Sequence, residues 1–122
     1  MKLRLRTNSI RLRLTQSEVR TLRATGRIAE CIHLPGGESF VYTLAAGPAR
    51  ATSFAGQGLV VTLESAAIAA WADTEAIAIR AEFPTPHGSL TVLVEKDFEC
   101  LHRNPTNAAE DNDTFPHPKK GK

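Results

Sequence analysis

The sequence predicts an α+β fold in which two similar βαββ units form a small barrel, or a curved and mainly antiparallel sheet, with two helices. Three observations predict it. Apolar residues alternate with polar ones in short runs, two segments have helix start and stop signals, and apolar residues recur with one spacing in both units. At 122 residues the chain has the size of one domain. We place that domain at residues 1–101 and predict an extended tail at 102–122, ordered to about residue 118 and disordered beyond it.

The first unit begins with apolar residues at every second position of residues 3–14, with arginines between them. This period of two predicts half-buried strands, and the change of register at Asn8-Ser9 predicts a bulge or a tight turn. Thr15-Gln16-Ser17-Glu18 has the sequence of a capping box, and Gly26 suits a left-handed C-cap. A helix therefore runs between them, and two strands, near residues 27–33 and 40–44, complete the unit.

The second unit has the same order of elements. A short edge strand near residues 50–54 precedes a β-branched strand at 59–63. An alanine-rich helix begins at Glu64 or Ser65 and continues through Trp71. Two further strands, at residues 76–83 and 90–94, complete the prediction.

The spacing of apolar residues predicts that the two units are pseudo-repeats. Counted from Leu14 in the first unit and from Leu63 in the second, apolar residues recur at +5, +8 and +14. They are Val19, Leu22 and Ile28 in the first unit and Ile68, Trp71 and Ile77 in the second. The alternative is that two short helices merely share the helical period. One unit cannot cover both faces of its sheet, so the two must pack together.

Charge is distributed unevenly, although the net charge is only +2. Residues 1–27 are basic and residues 95–113 are acidic. A basic segment is typical of nucleic-acid binding, but mutual neutralisation within the fold is the favoured interpretation. The arginines alternate along strands, and no aromatic residues lie between them to stack on bases. Nucleic-acid binding through the basic N-terminal strands is therefore the weaker alternative.

The sequence predicts a cytoplasmic protein that does not associate with membranes. It has no apolar run approaching the roughly 18–20 residues of a spanning helix. The N-terminus alternates leucine with charge and so lacks the apolar core of a secretory signal. Cys31 and Cys100 match no Cys-x-x-Cys spacing, and we expect both thiols to be reduced.

Three segments resemble the motifs of a widespread bacterial family whose members have about this length and no assigned function. They are NSIRLRLTQSEV at residues 8–19, VEKDFECL at 94–101 and EDNDTFPHP at 110–118. The resemblance runs from residue 1 to Pro118, and it implies no substrate, cofactor or catalytic residue. The closing motif of the family more often reads Pro-Asn-Pro. His117 departs from that pattern and is therefore a weaker candidate for chemistry shared by the family.

Potential metal ligands are densest near the tail. They are Cys100, His102, Glu110, Asp111 and Asp113. A thiolate with an imidazole suits zinc or another late first-row divalent metal, and Cys100 and His102 would point to one side of an extended chain. The structural alternative is that Cys100 is a buried small apolar residue and that the acids cap turns. No pair has the spacing of a zinc knuckle.

Two acidic residues, Glu95 and Asp97, lie on one face at the end of the last strand. Paired carboxylates can shift each other's pKa and perform acid–base chemistry. The favoured alternative is that they form ion pairs with the arginines of neighbouring strands, at positions 4, 6, 11 and 13.

The sequence contains no nucleophile elbow, phosphate loop or dinucleotide fingerprint. This favours, without establishing, a non-enzymatic binding or accessory protein that recognises an unidentified protein or small ligand. The predicted surface lies within residues 95–118 and includes Glu95, Asp97, Cys100 and Phe115. Phe115 is the only large apolar residue of positions 103–122, and we expect it to hold the tail to the body. The alternative is a metal-binding protein with a site centred on Cys100.

Overall fold

The computed structural model describes residues 1–56, 58–98 and 115, which form eight strands and two helices. In chain order these are β1 (Lys2–Arg6), β2 (Ser9–Leu14), α1 (Gln16–Thr25), β3 (Arg27–His33), β4 (Ser39–Gly47), β5 (Ala51–Ala55), β6 (Gly58–Glu64), α2 (Ser65–Ala72), β7 (Ala78–Thr85) and β8 (Gly88–Lys96). The α+β class is therefore confirmed.

The strands form two four-stranded sheets, with strand orders β1-β2-β8-β7 and β3-β4-β6-β5. Each sheet is mixed. Its central pair, β2 with β8 or β4 with β6, is parallel, and its outer pairs are antiparallel. The barrel, one of the two expected arrangements, is wrong, since the described strands do not join into one closed sheet, and the alternative of one curved sheet is replaced by two mixed sheets. The reason lies in the connections. The helix after β2 leads the chain into the second sheet, and the helix after β6 leads it back to the first.

The break in alternation at Asn8-Ser9 is a tight turn. Arg6 is opposite Ser9 in the β1–β2 hairpin, which leaves Thr7 and Asn8 as a two-residue loop. Asn8 has a positive φ of 52°, a conformation that asparagine tolerates better than most residues. The turn restores the alternation, so that Ile10, Leu12 and Leu14 all face the core.

The helix signals in the first unit are confirmed. Thr15 Oγ1 accepts a hydrogen bond from the backbone N–H of Glu18 at 3.4 Å, and the Glu18 carboxylate accepts one from the Thr15 N–H at 2.9 Å. Gly26 ends the helix in the left-handed region, with φ 81°, and its N–H donates to the Leu22 carbonyl. Two reciprocal hydrogen bonds and a glycine cap therefore fix the ends of α1.

The two sheets and the two helices share one hydrophobic core. Leu14, Val19 and Leu22 are buried in the first unit, as are Leu63, Ile68 and Trp71 in the second. The two residues of the third predicted pair, Ile28 and Ile77, differ in burial. Ile28 lies in β3 and packs partly against the core, whereas Ile77 precedes β7 and is 48 % exposed. The pseudo-repeat therefore stays a prediction.

Each helix contacts strands of both sheets. The strands are β2, β3 and β4 for α1, and β4, β6 and β7 for α2. The helices also contact each other, and a bidentate ion pair joins Arg23 near the end of α1 to Asp73 just after α2. Within the described part of the chain, no helix has the length and hydropathy that crossing a bilayer requires.

Candidate functional site

β8 ends at a group of two charged and two aromatic residues, which we call the strand-end cluster: Lys96, Asp97, Phe98 and Phe115. Pairing with β2 positions it, because the backbone N–H of Asp97 donates to the Leu14 carbonyl at 2.8 Å. The Asp97 carbonyl in turn accepts a hydrogen bond from the Phe115 N–H at 2.7 Å, and Phe115 forms a parallel bridge with Phe98. A residue of the predicted tail is thus joined to the last strand.

Lys96 is a buried lysine, with only 6 % of its surface exposed. Alternation along β8 places it on the same face as Val92 and Val94, which lie in the core. Its ammonium donates to the Thr74 carbonyl at 2.7 Å and lies 5.8 Å from the centroid of the Trp71 ring. Burial lowers the pKa of Lys96, and the nearby Glu75 carboxylate opposes that shift only in part. The favourable contact with the ring offsets some of the cost of burying the charge.

Asp97 is also buried, with 5 % of its surface exposed. Its Oδ2 atom makes no hydrogen bond within the described residues, and its charge is balanced by Lys2 Nζ at 3.0 Å. A buried carboxylate oxygen with an ionic partner but no hydrogen bond is unusual in folded proteins.

The ring of Phe115 contacts two other members of the strand-end cluster. Its ring meets the Phe98 ring edge to face, with centroids 5.9 Å apart, and the Lys96 ammonium lies 5.4 Å from its centroid. Phe115 packs partly against the main core. Such aromatic pairs contribute on the order of 1 kcal/mol beyond the area that they bury. Phe115 therefore contacts both the last strand and the core, and its role in holding the tail to the body stays a prediction.

Glu95 lies on the opposite face of β8 from Lys96. Its Oε1 atom is 3.4 Å from the Arg11 guanidinium and 3.2 Å from that of Arg13. These are the ion pairs that the ionic alternative predicts. Glu95 and Asp97 therefore each have their own cationic partner, and nothing in the described geometry favours their acting as an acid–base pair.

The predicted metal ligands lie outside the described residues. These are Cys100, His102, Glu110, Asp111 and Asp113. Among the described residues there is no group of three or more His, Cys, Asp and Glu side chains that could hold a metal ion. The zinc site centred on Cys100 stays a prediction. Elemental analysis of untagged protein tests it, and metal content unaffected by Cys100→Ser contradicts it.

A second cluster, around the Met1 α-amino group, was not expected from the sequence. The ammonium is paired with the carboxylate of Glu18 and, at 2.9 Å, with that of Glu30. The Tyr42 hydroxyl donates to the Met1 carbonyl at 2.7 Å. Glu18 was recognisable as part of the capping box, but its contact with Met1 depends on tertiary structure. We call these four residues the N-terminal clamp.

The clamp shifts two pKa values. Burial alone would raise the pKa of Glu18, but the hydrogen bonds from the Met1 ammonium and from Thr15 outweigh it and lower that pKa below its ordinary value. Burial, together with the negative charges of Glu30 and Glu18, raises the pKa of Tyr42. The neutral phenol is thus maintained as a hydrogen-bond donor beside two carboxylates.

The fold and these two clusters define a small α+β protein with two mixed sheets, in which Phe115 contacts Lys96 and the backbone of Asp97 at the end of the last strand. A family model described as "Family of unknown function (DUF7009)" matches residues 1–119. The chain belongs to this family. No curated protein and no solved structure matches it.

Proposed function

We propose that this chain is a non-enzymatic binding or accessory protein that recognises a ligand or partner at the surface of residues 95–118. The observation that carries the proposal is the strand-end cluster. There Lys96 and Asp97, both buried, lie beside Phe115 of the predicted tail. Buried charges are costly and are more common at functional sites than in structural cores.

The chemistry of the cluster suits a ligand that has both a charged and an apolar part. Lys96 supplies an ammonium, Asp97 a carboxylate, and Trp71 and Phe115 supply aromatic rings. In the described structure Phe115 itself occupies the position beside Lys96. A ligand or a peptide with an aromatic or aliphatic side chain would bind against the surface that Phe115 completes, so that the ring forms part of the site.

The arrangement of the chain supports this location. If the two βαββ units are pseudo-repeats, as we also propose, residues up to about Val94 form the scaffold. The segment from Glu95 to Pro118 then lies outside the repeat, and recognition special to this protein is expected there.

A thermal-shift screen tests the proposal. The full chain is titrated with a panel of amino acids, small carboxylates and phosphates at millimolar concentration, and so is a chain truncated after Leu101. We expect at least one compound to raise the Tm of the full chain and to leave that of the truncated chain unchanged. If no compound raises the Tm, or if the shift survives truncation, the surface is the wrong one.

A matched pair of variants separates recognition from folding. Phe115→Ala removes the ring from the strand-end cluster, whereas Phe54→Ala removes an exposed ring from the second sheet, where Phe54 is 70 % exposed. The proposal expects Phe115→Ala to abolish the ligand-induced shift and Phe54→Ala to preserve it. Equal behaviour of the two variants contradicts it.

A further inference from the structure

The outer face of the β1-β2-β8-β7 sheet has a concentration of basic side chains, which we call the basic face. Strand alternation places every second residue of these strands on the outer face, and six of these residues are basic. They are Lys2, Arg4, Arg6, Arg11, Arg13 and Arg80. Five come from the N-terminal hairpin. Arg80, from the other end of the chain, joins them through the pairing of β2 with β8 and of β8 with β7.

The registers arrange these side chains in rows across the sheet. Arg4 lies opposite Arg11, Arg11 opposite Leu93, and Leu93 opposite Arg80. Neighbouring strands are about 4.8 Å apart, and alternate residues along a strand are about 6.8 Å apart. The basic residues of β1 and β2 therefore lie at intervals of a few ångströms, and Arg80 lies two strands beyond β2.

Neutralisation within the fold is incomplete on this face. Glu95 is shared between Arg11 and Arg13, Glu82 pairs with Arg80, and Asp97 pairs with Lys2. Six basic groups against these three acids leave an excess of three positive charges. Arg4 and Arg6 are exposed and have no ion pair with any described residue.

We propose that the basic face binds the sugar–phosphate backbone of a nucleic-acid duplex without reading its sequence. Arginine binds phosphate through two parallel hydrogen bonds, and a duplex presents one phosphate charge about every 1.7 Å along its axis. Rows of guanidinium groups at short intervals match a dense line of phosphates. The inference goes beyond the proposed function. Glu95 and Asp97 contact both surfaces, but the arginines of the basic face are not part of the strand-end cluster, and Lys96 lies on the opposite side of β8.

The residues of the basic face favour a duplex over a single strand or a protein as the partner. The outward residues of the four strands include no aromatic side chain, so unpaired bases would find no ring on which to stack. Leu93 is the one large apolar residue among them, and a protein interface needs an apolar centre. A duplex partner requires neither, because its phosphates dominate the affinity.

Fluorescence anisotropy with labelled duplex DNA and duplex RNA of about 20 base pairs tests the proposal. We compare the wild type with Arg4→Gln/Arg6→Gln at several salt concentrations. The control, Arg20→Gln/Arg27→Gln, removes the same charge from exposed positions on α1 and β3. We expect the wild type to bind at low salt and the Arg4/Arg6 variant to bind about tenfold more weakly. Its slope of log K against log salt should be smaller in magnitude by about 2.

Arg4→Lys/Arg6→Lys should retain most of the binding, because it keeps the charge. The proposal is overturned if neither duplex binds at low salt, or if the control pair weakens binding as much as the Arg4/Arg6 pair. It is also overturned if polyglutamate of equal charge competes as well as duplex, or if a single strand binds more tightly than the duplex. Circular dichroism of every variant establishes that it is folded.

Discussion

The two strand-to-helix junctions place similar apolar residues in the core by different means. At the β2–α1 junction a capping box, a glycine cap and the N-terminal clamp fix a helix rich in charged residues. At the β6–α2 junction Glu64 makes no capping hydrogen bond, and the alanine-rich helix ends at Asp73 without a glycine. Trp71, near the end of α2, contacts Lys96 of β8 instead. The first helix is fixed by local hydrogen bonds together with the clamp, the second by distant contacts alone.

The largest expected effect is the loss in free energy of unfolding when Trp71 or Leu22 is replaced by alanine. The two residues occupy corresponding positions in the predicted pseudo-repeats. Trp71→Ala should lower the free energy of unfolding by about 3–5 kcal/mol because it leaves a large cavity. It should cost about 1 kcal/mol more than Leu22→Ala, since the indole N–H also donates to the Ile77 carbonyl at 3.0 Å. Urea unfolding measures both. A smaller loss at Trp71 would show that α2 does not depend on this contact.

Glu18→Gln tests how much the N-cap contributes to the stability of α1. We expect a loss of about 1–2 kcal/mol at neutral pH, because the carboxylate both completes the capping box and pairs with Met1. The pKa of Glu18 is lower in the folded protein than its ordinary value of 4.5. The difference between wild type and variant is therefore fully present above pH 4.5 and disappears as the pH falls through the folded pKa.

Glu64→Gln is the matched control, since Glu64 occupies the N-cap of α2 without making a capping bond. Its effect on unfolding should stay within about 0.5 kcal/mol and should not change with pH in the same way. Equal losses for the two variants would mean that the first junction has no special dependence on its cap.

A smaller effect is expected from Lys96 at high pH. Because burial lowers the pKa of Lys96 below 10.5 in the folded state, the unfolded chain binds more protons between the two pKa values. This contribution makes the protein more stable as the pH rises through that interval. Lys96→Met should lack the gain, so the stability of the variant relative to wild type should fall with rising pH. Tyr42 acts in the opposite direction above pH 10.0 but is common to both proteins. A constant difference would contradict the prediction.

The smallest effect is expected where the C-terminal ends of the two helices meet, at the exposed Arg23–Asp73 ion pair. The carboxylate raises the pKa of Arg23 through hydrogen bonds and charge, but both side chains are in contact with solvent. A double-mutant cycle with Arg23→Gln and Asp73→Asn should give a coupling energy near the limit of measurement, and salt should weaken it further. A large coupling would show that the helices are held together at this point.

Local signals explain what could be predicted from the sequence. Thr15, Glu18 and Gly26 define α1 through atoms only a few residues apart, and the alternation in residues 3–14 defines the hairpin. The parallel pairing of β2 with β8 has no local signal, and neither has the division of the strands into two sheets, which replaces the expected barrel. The burial of Lys96 likewise has no local signal in the sequence. Within Glu-Lys-Asp it is a charged residue of ordinary appearance, and only Trp71 and Phe115, distant in sequence, create its buried environment.

The pairing of β2 with β8 also has a consequence for the kinetics of folding. Each sheet combines a hairpin from one half of the chain with a hairpin from the other, so neither half can complete a sheet alone. The first sheet is complete only when residues 9–14 have paired with residues 91–96. Contacts between residues so distant in sequence require an unfavourable loop closure and slow the search for the native state. During translation, the first sheet can be completed only after residue 96 has left the ribosome.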